Sequence, residues 1–224
     1  MDSEQISKTF DEIAKLPTIS SLAFSSPSCN AISLQYSIRD FDQNNKRRKF
    51  ETTILIKPDE ISETTPMEVS NEVKAKFSSP SMKKTIFLKQ TSAEGDKPKH
   101  FVELWIGSRL EFSIPVSEIH GDFYADSVFG QLAWSANEDM IAYCPEKSMK
   151  GVPKYQFKED WGELYTGKAE PCLVLIDLKS KEKTVIDLSD LSPSAPFFCG
   201  ERLYFVGFKN QPRKYGVYAC TNRL

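Results

Sequence analysis

The five residues FSSPS occur at Phe24 and again at Phe77, and within a few residues each copy leads into an apolar run of strand-like composition. A turn written twice constrains the fold more than any other feature of the chain. A short unit that cannot bury its own apolar face has to stack against copies of itself. Two further segments align on the same plan, LAWSANEDMIAYC around Trp134 and PFFCGERLYFVGF around Phe198. The aromatic landmarks Phe24, Phe77, Trp134 and Phe198 lie 53, 57 and 64 residues apart. Each ring ends one strand, small or polar residues make the turn, and a second strand leaves it.

After Pro17 the apolar periodicity is two. ETTILIK, KTIFLKQ, HFVELWI, LEFSIPV, GQLAWS, MIAYC, PCLVLIDL, KTVIDL and RLYFVGF are short, rich in β-branched or aromatic residues, and separated by turn formers. No helical pattern alternates with them, which excludes a doubly wound α/β sheet. The expected fold is all-β: over 18–224, an incomplete β-propeller of four-stranded antiparallel blades, about three to four in number, the last one incomplete. A repeat of this length with internal hairpins fits kelch-like blades of ~50 residues. Each aromatic landmark should then pack between neighbouring blades. A β-sandwich is the competing all-β fold, but sandwiches lack a repeated unit.

The first seventeen residues read differently. Ile6, Phe10, Ile13 and Leu16 recur at helical spacing, Ser3 can cap the start, and Pro17 marks the stop. That stripe must be covered, either by the chain's own body or by another domain, which makes these four residues a candidate docking helix.

Hydrophobic residues make up 40% of the 224 and the net charge is -2, so the chain is globular and no nucleic acid or other charged partner is singled out. The basic run NNKRRKF, Asn44 to Phe50, reads as a solvated hairpin turn. The amino terminus is polar and acidic, unlike a signal peptide, and the longest aliphatic run, Leu173 to Ile176, cannot cross a bilayer. Five cysteines without a C-x-x-C pair read as reduced core residues. A cytoplasmic protein with no membrane association is expected. No nucleophile elbow or phosphate-binding loop is present, and His100 and His120 lie outside any metal-spaced cluster, so both read as structural. No catalytic, cofactor-binding or metal-binding residues are assigned, and no cofactor is expected.

One stretch stands apart, PEKSMKGVPKYQFKEDWGELYTGKAEP from Pro145 to Pro171, a long aromatic-rich excursion between two strands. Loops of this length in a compact domain are functional or disordered, and this one has too many rings for disorder. Tyr155, Phe157, Glu159, Asp160, Trp161 and Glu163 form a candidate interface loop, with Tyr155 and Trp161 folding it onto the body and the acids toward solvent or a partner. A self-packed Ω-loop is the alternative.

Three ordered motifs give these residues a family likeness. HGDFYADSVFGQLAWS carries His120, Gly121, Tyr124, Asp126, Phe129, Gly130, Leu132, Trp134 and Ser135; FKEDWGE carries Glu159 to Glu163; LYFVGFKNQPRKYGVYACTNR carries Val206, Gly207, Pro212, Arg213, Gly216 and Cys220 to Arg223. Together they resemble the N-terminal β-propeller of acylaminoacyl-peptidase, an omega peptidase of the prolyl oligopeptidase clan of serine hydrolases. From Ser3 to about Lys99 the similarity is looser. The resemblance implies a propeller that filters short N-acylated peptides toward a C-terminal α/β-hydrolase domain carrying Ser, Asp and His. It also implies that the N-terminal helix packs on that hydrolase domain. That domain is expected to be absent from this chain, so no catalytic residue carries over and the chain alone is expected to be inactive. The implied partners are the hydrolase domain of a full-length relative or the subunits of a homo-oligomer. A stand-alone propeller-like interaction module is the other expectation.

Overall fold

The computed structural model describes residues 3–26, 28–41, 46–91, 97–148, 157, 159–162, 165–188 and 190–210. It divides into two compact units, Met1–Asn71 and Glu72–Leu224. Among the described residues its secondary structure is one N-terminal α-helix followed by strands in several antiparallel sheets. Among the described residues no helix is long and apolar enough to cross a membrane.

The first unit opens with α1, Ser3–Ala14, where the i, i+4 apolar spacing places one stripe along the helix. It continues into a sheet of β1 (Thr18–Phe24), β2 (Ala31–Asp40), β3 (Lys46–Lys57) and β4 (Glu60–Glu63), in that order, with β5 (Met67–Glu68) also pairing β3. The stripe is largely uncovered within this unit: Ile6, Phe10, Ile13 and Leu16 are all more than half exposed, although the Phe10 ring lies 6.2 Å from that of Phe41. Every residue of β1 is likewise exposed, with Ile19, Leu22 and Phe24 among them. Of the basic run, Asn44 and Asn45 lie outside the described residues, and the rest is strand rather than turn. Lys46–Phe50 open the long β3, and Arg48 reaches Asp40 at 3.2 Å and Glu68 at 2.7 Å. Lys46, Arg47 and Lys49 stay exposed, and of the run's described residues Arg48 alone is held by acids.

In the second unit β6 (Val73–Ser78), β7 (Lys84–Thr91), β8 (Lys99–Ile106) and β9 (Arg109–Pro115) form one four-stranded meander. A second consists of β11 (Leu132–Trp134), β12 (Met140–Tyr143), β14 (Leu173–Asp177) and β15 (Lys183–Ile186). A short ribbon pairs β10 (His120–Phe123) with β13 (Pro145–Lys147), and β16 (Leu191–Cys199) pairs with β17 (Arg202–Lys209).

The alternation of side chains explains why these sheets stack. Ile86, Leu88, Val102, Leu104 and Ile114 project from one meander into a common core with Ile141, Tyr143, Val174 and Ile176 from the other. Each such side chain contributes roughly 1.5–3 kcal/mol by leaving water. The opposite face of the second meander, with Ala133, Ala142, Cys144 and Leu173, packs against Phe198, Leu203 and Phe205 of the β16–β17 pair. No sheet closes on itself among the described residues.

The repeated turn is real, but its register differs from the sequence alignment. Ser79 N–H donates to Lys84 O at 2.8 Å, Met82 N–H to Ser79 O at 2.8 Å, and Lys84 N–H to Ser79 Oγ at 3.2 Å. Ser135 repeats this through Met140 O, the Glu138 N–H and the Met140 N–H, each at 2.9 Å. The fourth residue of each turn, Met82 or Glu138, is left-handed, at φ 57° and 54°. The FSSPS turn at Phe24 shares that feature, with Cys29 at φ 55° and its N–H on Ser26 O at 3.0 Å.

Ser79 is therefore the counterpart of Ser135. Phe77 stands two residues before its turn and Trp134 one before its own. A slip of one residue reverses the face of a strand. The two rings occupy non-equivalent register positions, which corrects the alignment, yet both pack on the same inter-sheet core, one from each side. At Phe198 the turn is different again, since Cys199 pairs with Arg202 and only Gly200 and Glu201 lie between.

The two hairpins that do match are joined directly. The Glu138 carboxylate accepts the Ser81 N–H at 2.6 Å and the Ser81 hydroxyl at 2.9 Å, while Lys84 Nζ donates to Glu138 O at 2.7 Å.

The cysteines also depart from expectation. Cys144 and Cys172 are buried, whereas Cys29 and Cys199 are exposed. Cys29 is carried by the left-handed turn and Cys199 by the end of a hairpin, positions set by backbone rather than by packing. Cys220 lies outside the described residues.

Candidate functional site

The excursion after β13 returns to the second unit through a single buried carboxylate. Glu146 is 8% exposed, and it accepts the Ala169 N–H and the Glu170 N–H, each at 3.0 Å, as well as the Tyr124 hydroxyl. Backbone pairing continues the clasp, from Lys147 N–H to Glu170 O at 2.8 Å and from Cys172 N–H to Pro145 O at 2.9 Å. A buried carboxylate is tolerable when donors surround it, and here they come from the far end of the excursion, Ala169 and Glu170, and from Tyr124 after β10. The Tyr124 phenol is pushed far above its usual range, first by burial and then by the Glu146 charge, so it stays a donor.

Asp126 makes the second attachment. One carboxylate oxygen caps the Val128 and Phe129 N–H groups at 2.9 and 2.7 Å, and the other receives Lys168 Nζ at 2.6 Å. Lys168 also lies 5.3 Å from the Tyr124 ring centroid and 5.1 Å from that of Tyr165, within cation–π range. The turn after Asp126 requires glycine at its end. A Cβ on Gly130 would come within 2.6 Å of the Asp126 backbone, closer than any side chain allows.

The segment between these attachments closes on itself. Asp160 accepts the Gly162 N–H at 2.9 Å and the Gly167 N–H at 2.6 Å, and Trp161 N–H donates to Lys168 O at 3.0 Å. Gly162 holds φ +61° with open space around it, as a turn of this kind needs. The closed loop drives Trp161 inward until it is fully buried. Its ring lies 6.1 Å from Phe129 and 6.0 Å from Phe208, while Tyr165 meets Phe129 edge-on at 5.7 Å. Tyr124, Phe129, Trp161, Tyr165 and Phe208 form one buried cluster.

The candidate interface residues thus part company. Trp161 is a core residue, Asp160 a half-buried loop clamp, and Phe157 is 88% exposed. Glu159 is exposed. Tyr155 and Glu163 lie outside the described residues.

The two histidines, 20 residues apart in sequence, have ring centroids 6.0 Å apart. His120 is 1% exposed; its Nδ1–H donates to Gly121 O at 2.7 Å and its Nε2 accepts the Tyr143 hydroxyl at 2.9 Å. Burial pushes its imidazole down to about 4, so it is neutral and structural at neutral pH. His100 Nε2 donates to Asp122 at 3.0 Å, and that bond holds the carboxyl below its usual range. Burial pushes the Cys172 thiol up to about 12, and that of Cys144 higher still. Among the described residues no group of three His, Cys, Asp or Glu is placed to hold a metal ion.

The polar clamps and the aromatic cluster therefore join three stretches distant in sequence: 120–135, 159–170 and 206–208. These stretches carry the family likeness, and the comparison with known proteins agrees. The model of the acylamino-acid-releasing enzyme N-terminal domain matches residues 1–157 and 153–224. The chain belongs to that family.

Its similarity to individual members is moderate. The chain is 27% identical over 194 residues to the acylamino-acid-releasing enzyme of Mus musculus, covering 70% of this chain and 26% of that protein. With acylamino-acid-releasing enzyme 1 of Oryza sativa subsp. japonica the identity is 26% over 259 aligned positions, covering 97% of this chain and 33% of that one. The chain thus spans a quarter to a third of the length of these relatives. Among solved structures it resembles Pyrococcus horikoshii acylaminoacyl peptidase in its orthorhombic crystal form. The TM-score there is 0.51 at 12% identity, over 88% of this chain and 28% of that one. At that identity the likeness concerns the fold alone.

Proposed function

We propose that this chain is the N-terminal, propeller-forming part of an acylaminoacyl-peptidase-like serine hydrolase of the cytoplasm. Its task is to admit short N-acylated peptides to a hydrolase domain and to hold longer chains out. The observation that carries this reading is the face-to-face stacking of two four-stranded meanders through equivalent Ser79 and Ser135 hairpins, in a chain of this family. A stack of such sheets curving about an axis is a propeller, and its axial route passes an extended peptide but not a folded one.

The largely exposed stripe of α1 and the exposed apolar residues of β1 favour a role in contact with another polypeptide, the hydrolase domain first. The same exposed residues support a second reading, a stand-alone module binding full-length enzyme subunits.

The test joins this chain to the hydrolase portion of the rice relative and compares turnover of an N-acetyl-alanyl chromogenic substrate with that of N-acetylated peptides of increasing length. Turnover that falls steeply with length, and loses that dependence when this chain is omitted, is the expected result. Equal length dependence with and without the chain would sink the gating role. The chain by itself should neither turn over the chromogenic substrate nor react with a fluorophosphonate probe.

A further inference from the structure

The first unit contains a basic pocket that the family reading does not use. A cavity of about 120 Å³ lies where α1 ends over β2 and β3, lined by Ile13, Leu16, Thr18, Ser37, Arg39 and Arg47. Arg39 and Arg47 are directly opposite each other across the β2–β3 pair, and Thr18 is opposite Ser37 across β1–β2. Residues opposite in an antiparallel pair point to the same face, so two guanidinium groups share one side of the sheet.

Like charges directly opposite each other destabilise a sheet, whereas opposite charges stabilise it. The contrast with the next residue is clear. Arg48, on the other face, holds both Asp40 and Glu68. Among the described residues no carboxylate is within ion-pair reach of Arg39 or Arg47. The pocket therefore presents two positive charges and two hydroxyl-bearing residues, with the exposed side chains of Ile13 and Leu16 as an apolar rim.

We propose that this pocket binds a phosphate-monoester dianion between Arg39 and Arg47, with Thr18 and Ser37 as further donors. A carboxylate has two oxygens and is satisfied by one guanidinium fork, whereas a phosphate monoester has three terminal oxygens and two charges to match two forks. An apolar cavity of ~150 Å³ holds benzene, so this pocket has room for a phosphate group and little beyond it. The carboxyl end of the α1 dipole opposes an anion by about half a charge, which two full charges outweigh. The apolar rim receives the group that carries the phosphate.

The test uses the full chain and four probes: inorganic phosphate, phosphoserine, a phosphoserine peptide, and succinate as a dicarboxylate of equal charge. Binding is read by calorimetry and by the shift in melting midpoint. Phosphate should raise the midpoint. R39Q and R47Q should each weaken binding about tenfold, the loss of one charge-assisted fork; the double variant should abolish it, and K46Q, outside the pocket, should leave it unchanged. R47Q without ligand should melt no lower than the unsubstituted chain, since it removes a like-charge contact, which separates lost binding from lost folding. Tighter binding of the phosphopeptide than of phosphate assigns the ligand to a phosphorylated chain; equal binding assigns it to a free ester. Absence of a phosphate response, a response unchanged in R39Q and R47Q, or equal binding of succinate overturns the proposal.

Discussion

Replacing Trp161 by alanine tests whether the excursion after β13 is core or surface. The indole is fully buried and lies between Phe129 at 6.1 Å and Phe208 at 6.0 Å. Deleting a buried Trp side chain costs about 3–5 kcal/mol, from lost transfer energy and from the cavity left behind. For a unit of this size one kcal/mol moves the melting midpoint by roughly 2–4 °C, so a fall of about 10 °C is expected. Phe157 supplies the control from the same excursion, because at 88% exposure its truncation should change stability by less than about 0.5 kcal/mol. Urea titrations followed by far-UV circular dichroism compare the two variants without relying on the tryptophan signal. If Trp161→Ala were as mild as Phe157→Ala, the loop would not be anchored as described.

Two further outcomes follow from the buried groups. His120 has its folded value depressed to about 4 by burial, below the ~6.5 of an unfolded chain, so the unfolded state binds the extra proton between those values. Stability is then fully present above pH 6.5 and falls by up to about 3 kcal/mol as pH drops toward 4; His120→Gln should flatten that part of the profile in acid titrations of the melting midpoint. Timed alkylation with peptide mapping should label Cys29 and Cys199 within the dead time, and Cys144 and Cys172 only on unfolding, since burial both hides the latter pair and raises their thiols.

Much of the fold was legible in the residues because it rests on periodicity. Ile6, Phe10, Ile13 and Leu16 marked α1, and period-two runs marked the strands of both meanders. The exact turn register was not legible. FSSPS offers two serines before its proline, and only the hydrogen bonds reveal that Ser79, the second, does the work of Ser135. The β10–β13 ribbon escaped notice because HGDF and PEK are short, polar and lack β-branched residues.

The same limit applied to the candidate site. Trp161 drew attention as an aromatic in a long loop, but the sequence gives no sign of which way a ring turns. Glu146 was missed because its amide partners lie 23 and 24 residues away, beyond any local pattern. A charged residue two positions after the apolar run MIAYC was the one available signal, since a carboxylate leaving a buried strand needs donors nearby.

The central claim is that motifs distant in sequence form one physical unit, and a double-mutant cycle measures it most directly. Phe129→Leu and Phe208→Leu truncate two rings whose centroids stand 5.9 Å apart, while residues 129 and 208 lie in different motifs. A coupling of about 0.5–1.5 kcal/mol is predicted from their stability changes singly and together. Additivity of the two substitutions to within about 0.3 kcal/mol would contradict the account.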